Sequence, residues 1–494
     1  MYDKECTTFL NKKNEGFIKF IRLFIKKVFQ ILVGIALLFP ETRLGAQCDS
    51  IRVSNIHIEG NEKTKLWVIK NEMRTHVNEV LNINALYQKL DQIQIDLTRT
   101  GLFADVKVST IQDSSQLLHC EFEIVVSLKE SWLFFPSVIF DIADRNYNVW
   151  WTEQNHSLDR VNYGLQLIHY NVSGRKDKLR LKIQTGYTNK YEFYYYYPYF
   201  SYRRNIGAYA GMLYSQSKEV DYKSENNKLV FYRNEKKIQL TRREFYIGLA
   251  HRPSSIIFHQ YRLEYQDNNI SDSIADRNRN FYGDGNRNQR YFLLSYGFYF
   301  NKLNHDLLPE KGYRLAFEFF LRRSFLSDDV RSFITRQEWV YAKKIFPRYI
   351  YSSVITSSQQ ILNNKQPYSL NKLLGYYNNI VYGYEYYVID GTHMVRVEQN
   401  LRYKLFSYHK SFFKILKNEP RIKFKLDASA LVNVSMAYVK DKYEDPSNEL
   451  ANRFLYSATL GGELGINNAQ KLQLHLSVNH RREVGIFVHS KSTF

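Results

Sequence analysis

The chain has 494 residues, which is too long for one ordinary hydrophobic core and predicts two or more domains. It contains 40 Tyr and 33 Phe, yet its mean hydropathy is −0.45. These values exclude a bundle of apolar membrane helices but fit a membrane β-barrel, whose strands alternate apolar and polar residues, or a soluble all-β protein. The net charge of +20 comes from dispersed Lys and Arg, which favours basic loops at an anionic lipid surface over binding of nucleic acid.

Residues 1–46 are predicted to form a signal peptide. A basic stretch at 19–27 precedes an apolar run at 28–39, and the small residues Gly45 and Ala46 lie at a predicted cleavage site after Ala46. The apolar run is shorter than the roughly 20 residues that a membrane-spanning helix needs. An uncleaved membrane anchor is the alternative interpretation.

Residues 47–130 are predicted to form a small α+β domain. Apolar periodicity and turn residues indicate the order strand, helix, helix, strand, strand, with the last two strands at about 105–111 and 118–128. The runs 56–64 and 100–106 resemble conserved stretches of a POTRA (polypeptide-transport-associated) domain. The resemblance implies that client chains add as strands to an exposed edge, here the strand at 105–111.

Residues 131–494 are predicted to form a transmembrane antiparallel β-barrel of about 16 strands. Helical periodicity largely ends after Glu130, and alternation is clear at 179–184 and 472–477. Strands are expected to start near 131, 161, 178, 190, 205, 238, 256, 290, 312, 332, 348, 393, 421, 453, 470 and 484. The stretch 228–233 is left unassigned, which leaves room for two more strands.

Four motifs of this region resemble the BamA-like outer-membrane assembly and translocation barrels, the bacterial surface antigen family. They lie at 136–151, 171–175 (N-x-x-G-R), 197–200 (x-P-Y-F) and 306–313 (D-x-x-x-P-x-x-G-x). The resemblance implies a non-enzymatic protein of the bacterial outer membrane without a cofactor, whose amino-terminal domain lies in the periplasm. Its expected partners are unfolded outer-membrane or secreted client proteins, periplasmic accessory subunits and the lipid bilayer.

A further motif lies where the family carries V-R-G-Y/F on a long loop folded into the barrel. Its residues here are Val381, Tyr382, Gly383 and Tyr384. The family's Arg pairs with an acid on a later strand, which corresponds to Asp427. Because Tyr382 replaces that Arg, the ion pair cannot form, and a hydrogen bond from Tyr382 to Asp427 worth roughly 1 kcal/mol is predicted instead. An ordinary extracellular loop is the alternative.

The last residue, Phe494, ends an alternating strand, which is typical of the carboxyl-terminal assembly signal of outer-membrane barrels. After export, Cys48 and Cys120 would enter an oxidising compartment and either form a disulfide or remain free. The sequence has no nucleophile elbow, zinc-protease motif or phosphate loop, so no catalytic or metal site is expected. Insertion or translocation of clients is the leading hypothesis. A passive pore or structural barrel and a secretion pore for one dedicated partner are the alternatives.

Overall fold

The computed structural model describes most of the chain after the predicted signal peptide. The described residues are 50–111, 120–200, 205–254, 256–324, 330–362, 365–376, 379–411, 423–442, 446–467 and 470–492. The predicted signal peptide, Cys48 and Phe494 lie outside them. No helix in these ranges is both long and apolar enough to cross a membrane.

The amino-terminal domain is a four-stranded sheet covered by two helices. Its elements are β1 (Ser50–Glu59), α1 (Leu66–Met73), β2 (Val80–Asn82), α2 (Leu86–Arg99), β3 (Phe103–Ile111) and β4 (Glu121–Glu130), with a 3-10 turn at Ile83–Ala85. The strand order is β2-β1-β4-β3, with β1 parallel to β4 and the other pairs antiparallel. The strand predicted at 105–111 therefore lies at an edge of the sheet. The short β2 was not predicted, since three residues are too few to show alternation.

The core of this domain joins both helices to one face of the sheet. Its fully buried side chains include Phe122, Ile93 and Leu97. Gly60 makes the turn after β1 with φ +82°, and a Cβ there would lie 1.9 Å from the carbonyl oxygen of Leu128. Only glycine fits both conditions.

The described part of the chain after β4 contains one large sheet and two short strand pairs outside it. Its elements, in chain order and with the loop elements between them, are β5 (Phe134–Ile142), β6 (Val161–Tyr170), β7 (Lys178–Gly186), β8 (Thr188–Tyr197), β9 (Ile206–Ser217), β10 (Glu219–Glu225), β11 (Lys228–Arg233), β12 (Leu240–His251), β13 (Ile257–Ile270), α3 (Asp272–Arg277), β14 (Asn288–Asn301), β15 (Gly312–Arg323), β16 (Arg331–Phe346), β17 (Tyr349–Gln360), β18 (Lys372–Leu374), β19 (Ile389–Asp390), β20 (His393–Ser411), β21 (Lys423–Lys440), β22 (Phe454–Ile466), β23 (Gln470–Asn479) and β24 (Val484–Ser492). Three short helical turns lie between them, at Val149–Glu153, Leu158–Arg160 and Tyr368–Leu370.

Sixteen of these strands form a single antiparallel barrel sheet in which neighbours follow the order of the chain. The prediction of sixteen strands is confirmed, and the largest offset is at the first strand, predicted from 131 and observed from Phe134. The unassigned stretch 228–233 is β11, which pairs with β10 in a hairpin outside the barrel sheet. The pair β18–β19 also lies outside the barrel sheet.

The barrel strands present apolar side chains outward and polar ones inward. On β23 the exposed residues are Leu472, Leu474, Leu476 and Val478, and the buried residues are Gln473, His475, Ser477 and Asn479. An apolar outer face around a polar interior is the arrangement that a lipid bilayer requires of a barrel. The protein is therefore a transmembrane barrel preceded by a small α+β domain.

Two turns at one end of the barrel dock on the amino-terminal domain. The backbone N–H of Lys65 donates to the carbonyl of Gly174, in the turn at 171–177, at 2.9 Å. Tyr199, in the next such turn, is buried in the domain core with its ring 5.1 Å from that of Trp67. We call this end of the barrel the domain end and the opposite end the far end.

Candidate functional site: the inward loop and the barrel seam

Residues 361–392, between β17 and β20, form a long loop that we call the inward loop. Ser457 donates a hydrogen bond through its hydroxyl to the carbonyl of Tyr382, and the side-chain amide of Asn479 donates to the carbonyl of Gly383 at 2.9 Å. Ser457 and Asn479 are buried residues of β22 and β23, and Asn479 belongs to the inner face defined above. The tip of the loop therefore lies inside the barrel.

Tyr382 does not bond to the acid predicted for it. Its hydroxyl donates to Gln473 at 3.3 Å. Asp427 instead accepts from the hydroxyl of Ser407 at 2.6 Å and pairs with Lys425 at 2.8 Å. The prediction of a Tyr382–Asp427 hydrogen bond is therefore wrong. Its physical cause is the strand register, which places Asp427 two residues nearer the domain end than the level of Gln473.

Gly383 and Tyr384 fix the backbone and the side-chain packing of the loop tip. Gly383 has φ +84°, and a Cβ there would lie 3.1 Å from the Cβ of Ser457. The hydroxyl of Tyr384 donates to the carbonyl of Tyr456 at 3.1 Å. Val381 and Tyr384 are buried in an apolar cluster that also contains Leu374, Ile389, Met394, Ala437, Val439, Leu450, Ala451 and Leu455.

The loop between β5 and β6, residues 143–160, holds the inward loop by its backbone; we call it the bridging loop. Arg145 donates hydrogen bonds to three inward-loop carbonyls, those of Gly375, Tyr386 and Tyr387, at 3.4, 2.6 and 2.7 Å. The side-chain amide of Asn146 donates to the carbonyl of Glu385 at 2.8 Å. Both residues lie in the motif at 136–151, but the sequence could not reveal their role because their partners are backbone carbonyls, which residue types do not encode.

Glu385 connects the inward loop to the last strand, β24. Its carboxylate lies 3.1 Å from Nε2 of His489, and its side chain is fully buried. Burial raises the pKa of the Glu385 carboxyl above its ordinary value, against the opposing effect of the His489 ring. The inward loop is thus attached both to the bridging loop and to β24.

Arg160 anchors the other end of the bridging loop. Its guanidinium lies 2.7 Å from the carboxylate of Asp144 and also pairs with Glu219 at the start of the β10–β11 hairpin. All three side chains are nearly inaccessible, and the guanidinium also lies 4.9 Å and 4.7 Å from the ring centres of Tyr187 and Phe231. The bridging loop is therefore fixed at both ends by arginine contacts.

The first and last barrel strands, β5 and β24, face each other across a seam without a β-ladder in the described residues. Phe140 on β5 is 76% exposed and Ile486 on β24 is 62% exposed. One side chain reaches the backbone of β24 from the bridging loop: Asn148 donates to the carbonyl of Ile486 and accepts from the N–H of Val488 at 3.0 Å. The seam is therefore the point where the barrel sheet is interrupted.

A cavity of about 830 Å³ lies in the barrel between the inward loop and the domain end. Its wall includes inward-facing Arg402 and Glu463, and also Phe140 and Val488 on the two seam strands. Near the domain end, Arg402 donates to the carbonyl of Pro309, in the turn that the D-x-x-x-P-x-x-G-x motif predicted. The cavity is thus covered by loops and reaches the seam at its side.

The described residues contain no group of three or more His, Cys, Asp or Glu side chains that could hold a metal ion. Cys120 is disulfide-bonded. Cys48, the predicted partner, lies outside the described residues, and its pairing with Cys120 stays a prediction. Phe494 also lies outside the described residues, and its role as an assembly signal stays a prediction.

Residues 51–130 match the family model described as "POTRA: Surface antigen variable number repeat". The chain is similar in structure to BamA from Haemophilus ducreyi lacking POTRA domains 1–3, with a TM-score of 0.56, 14% sequence identity, and coverage of 89% of this chain and 84% of that chain. The chain therefore has the fold of a BamA-like barrel, and residues 51–130 are similar to a POTRA domain. It is also similar to CdiB from Acinetobacter baumannii, with a TM-score of 0.52, 11% identity, and coverage of 90% of this chain and 73% of that one. No curated protein matches the sequence.

Proposed function

We propose that this BamA-like barrel inserts client proteins into the bacterial outer membrane, with its POTRA domain in the periplasm. The seam is the observation that carries the proposal. Strand edges in lipid leave N–H and C=O groups unpaired, at a cost of several kcal/mol for each group. A client strand that pairs with β5 or β24 would satisfy these groups, so the seam is a template for adding strands.

The POTRA domain offers a second edge on the periplasmic side. Strand β3 lies at the edge of its sheet, and Ile111 at the end of β3 is 54% exposed. An extended client could pair there before it reaches the barrel. Periplasmic accessory subunits would dock on the same domain.

A passive pore is less well supported, because the tip of the inward loop lies inside the barrel, hydrogen-bonded to β22 and β23. Secretion of one dedicated partner through the lumen would need that loop to leave, whereas insertion at the seam does not need an open lumen. The inward loop therefore favours a lateral route over a route through the lumen.

The experiment locks the seam. Cysteines are introduced at two exposed positions, by Val138→Cys on β5 and Ile486→Cys on β24. A reducible bis-maleimide then cross-links them in the full-length protein in liposomes. We expect insertion of a small client barrel, measured by its heat-modifiable migration, to stop and to resume after reduction. The matched control is Ile247→Cys with Leu263→Cys, which face each other on the paired strands β12 and β13. Normal insertion through the locked seam would refute the proposal.

Depletion in cells separates the alternatives. Broad loss of other outer-membrane barrels supports insertion. Loss of one exported protein alone indicates a dedicated secretion pore, and loss of solute permeability alone indicates a passive channel.

A further inference from the structure

The side-chain amide of Asn148 makes the hydrogen bonds of a paired strand. Successive residues of a strand direct their backbone groups to alternate sides, so every second residue of β24 directs its N–H and C=O away from β23. Asn148 donates to the carbonyl of Ile486 and accepts from the N–H of Val488, two residues further along. These are the groups that a strand added to this edge would use. The side chain of Asn148 therefore occupies one position at which an added strand would form hydrogen bonds with β24.

Two side chains of the bridging loop, those of Thr152 and Asn146, hold the backbone at Asn148 in this position. The carbonyl of Asn148 accepts from the hydroxyl of Thr152 at 2.7 Å, and the N–H of Val149 donates to the side chain of Asn146 at 2.9 Å. The same Asn146 side chain donates to the carbonyl of Glu385 on the inward loop. Movement of Asn148 away from β24 is therefore linked to contacts with the inward loop.

We propose that Asn148 is an edge cap on β24, which a joining strand must displace, and that the bridging loop couples this displacement to the inward loop. The inference rests on the proposed function, since it specifies how the strand-adding edge at the seam is kept closed. The ligand it competes with is an extended polypeptide, because both blocked groups are backbone groups. Asn148 is thus a positioning residue that sets the accessibility of the edge.

The test measures two quantities separately in the full-length protein. Hydrogen exchange at the edge of β24 is measured in lipid nanodiscs, and the rate of client insertion is measured in liposomes. Asn148→Ala removes both hydrogen bonds, and we expect roughly ten-fold faster hydrogen exchange in the peptide that contains Val488. We also expect faster insertion of the client barrel, because the edge is open in advance. Gln154→Ala is the matched control, since it removes an amide from the same loop at a position with no hydrogen bond to β24 in the described ranges.

A third variant tests the chemistry of the cap. Asn148→Asp can accept from the N–H of Val488 but cannot donate to the carbonyl of Ile486, so its exchange rate should lie between those of the wild type and Asn148→Ala. Unchanged exchange in a folded Asn148→Ala protein would overturn the inference. Slower insertion together with faster exchange would also overturn it, because the amide would then assist strand addition. Altered exchange without insertion by any variant would instead refute the proposed function and leave the cap in place.

Discussion

Gly383→Ala should loosen the tip of the inward loop. The backbone of Gly383 has φ +84°, where an L residue costs about 1–2 kcal/mol. The added methyl would lie 3.1 Å from the Cβ of Ser457, so loop and wall must separate by a few tenths of an ångström. That movement strains the hydrogen bonds from Ser457 and from Asn479, each worth about 1 kcal/mol. We expect a shift of about 2–4 kcal/mol toward the released loop, which is a factor of about 30 to 1,000 in its population.

Hydrogen exchange of peptides within 379–392 and limited proteolysis of the inward loop measure this release. Gly462→Ala is the matched control on β22, because a Cβ there would meet only the carbonyl oxygen of Ser429 at 4.0 Å. The control should behave as the wild type does. If Gly383→Ala exchanges and is cut at the wild-type rate, these contacts do not hold the loop, and the reasoning is wrong.

Three further changes test other contacts. Phe122→Ala, at a fully buried site, should destabilise the POTRA domain by about 3–5 kcal/mol, measured by denaturant unfolding of the domain signal. Arg160→Ala leaves the buried carboxylate of Asp144 without its ion-pair partner and leaves Glu219 with only Arg233 at 4.0 Å, so it should cost about 3–5 kcal/mol, seen as a lower midpoint of heat-modifiable migration. Tyr199→Ala removes the aromatic ring that a barrel turn inserts into the POTRA core. It should increase proteolysis between domain and barrel, while the barrel keeps its heat-modifiable migration.

The strands of the barrel could be predicted because their signals are local. Alternation has a period of two residues and turns carry glycine, proline and polar residues, so each strand can be located from its own segment. The hairpin at β10–β11 carries the same signal, which is why 228–233 could not be assigned from the sequence. Whether a strand joins the barrel depends on its neighbours in space.

The contacts of the site could not be predicted for the same reason. The partner of Tyr382 depends on the register of strands about 90 residues later in the chain, which local patterns do not specify. Arg160 pairs with Glu219 although four strands, β6 to β9, lie between them in the chain, and Asn148 bonds backbone groups of β24. The sequence motifs included Tyr382 and Asn148 but neither Arg160 nor Glu219, and the partners of all four follow only from the fold.

Tyr382 cannot form an ion pair with an acid on the barrel wall, and a charged attachment of the inward loop lies elsewhere along it. Arg145 supplies three hydrogen bonds from a charged donor to inward-loop carbonyls, and such bonds contribute about 1.5–3 kcal/mol each. Because Arg145 belongs to the bridging loop, the loop that carries Asn148 also holds the inward loop. The inward loop is therefore anchored next to the seam, and the seam is where activity should first be tested.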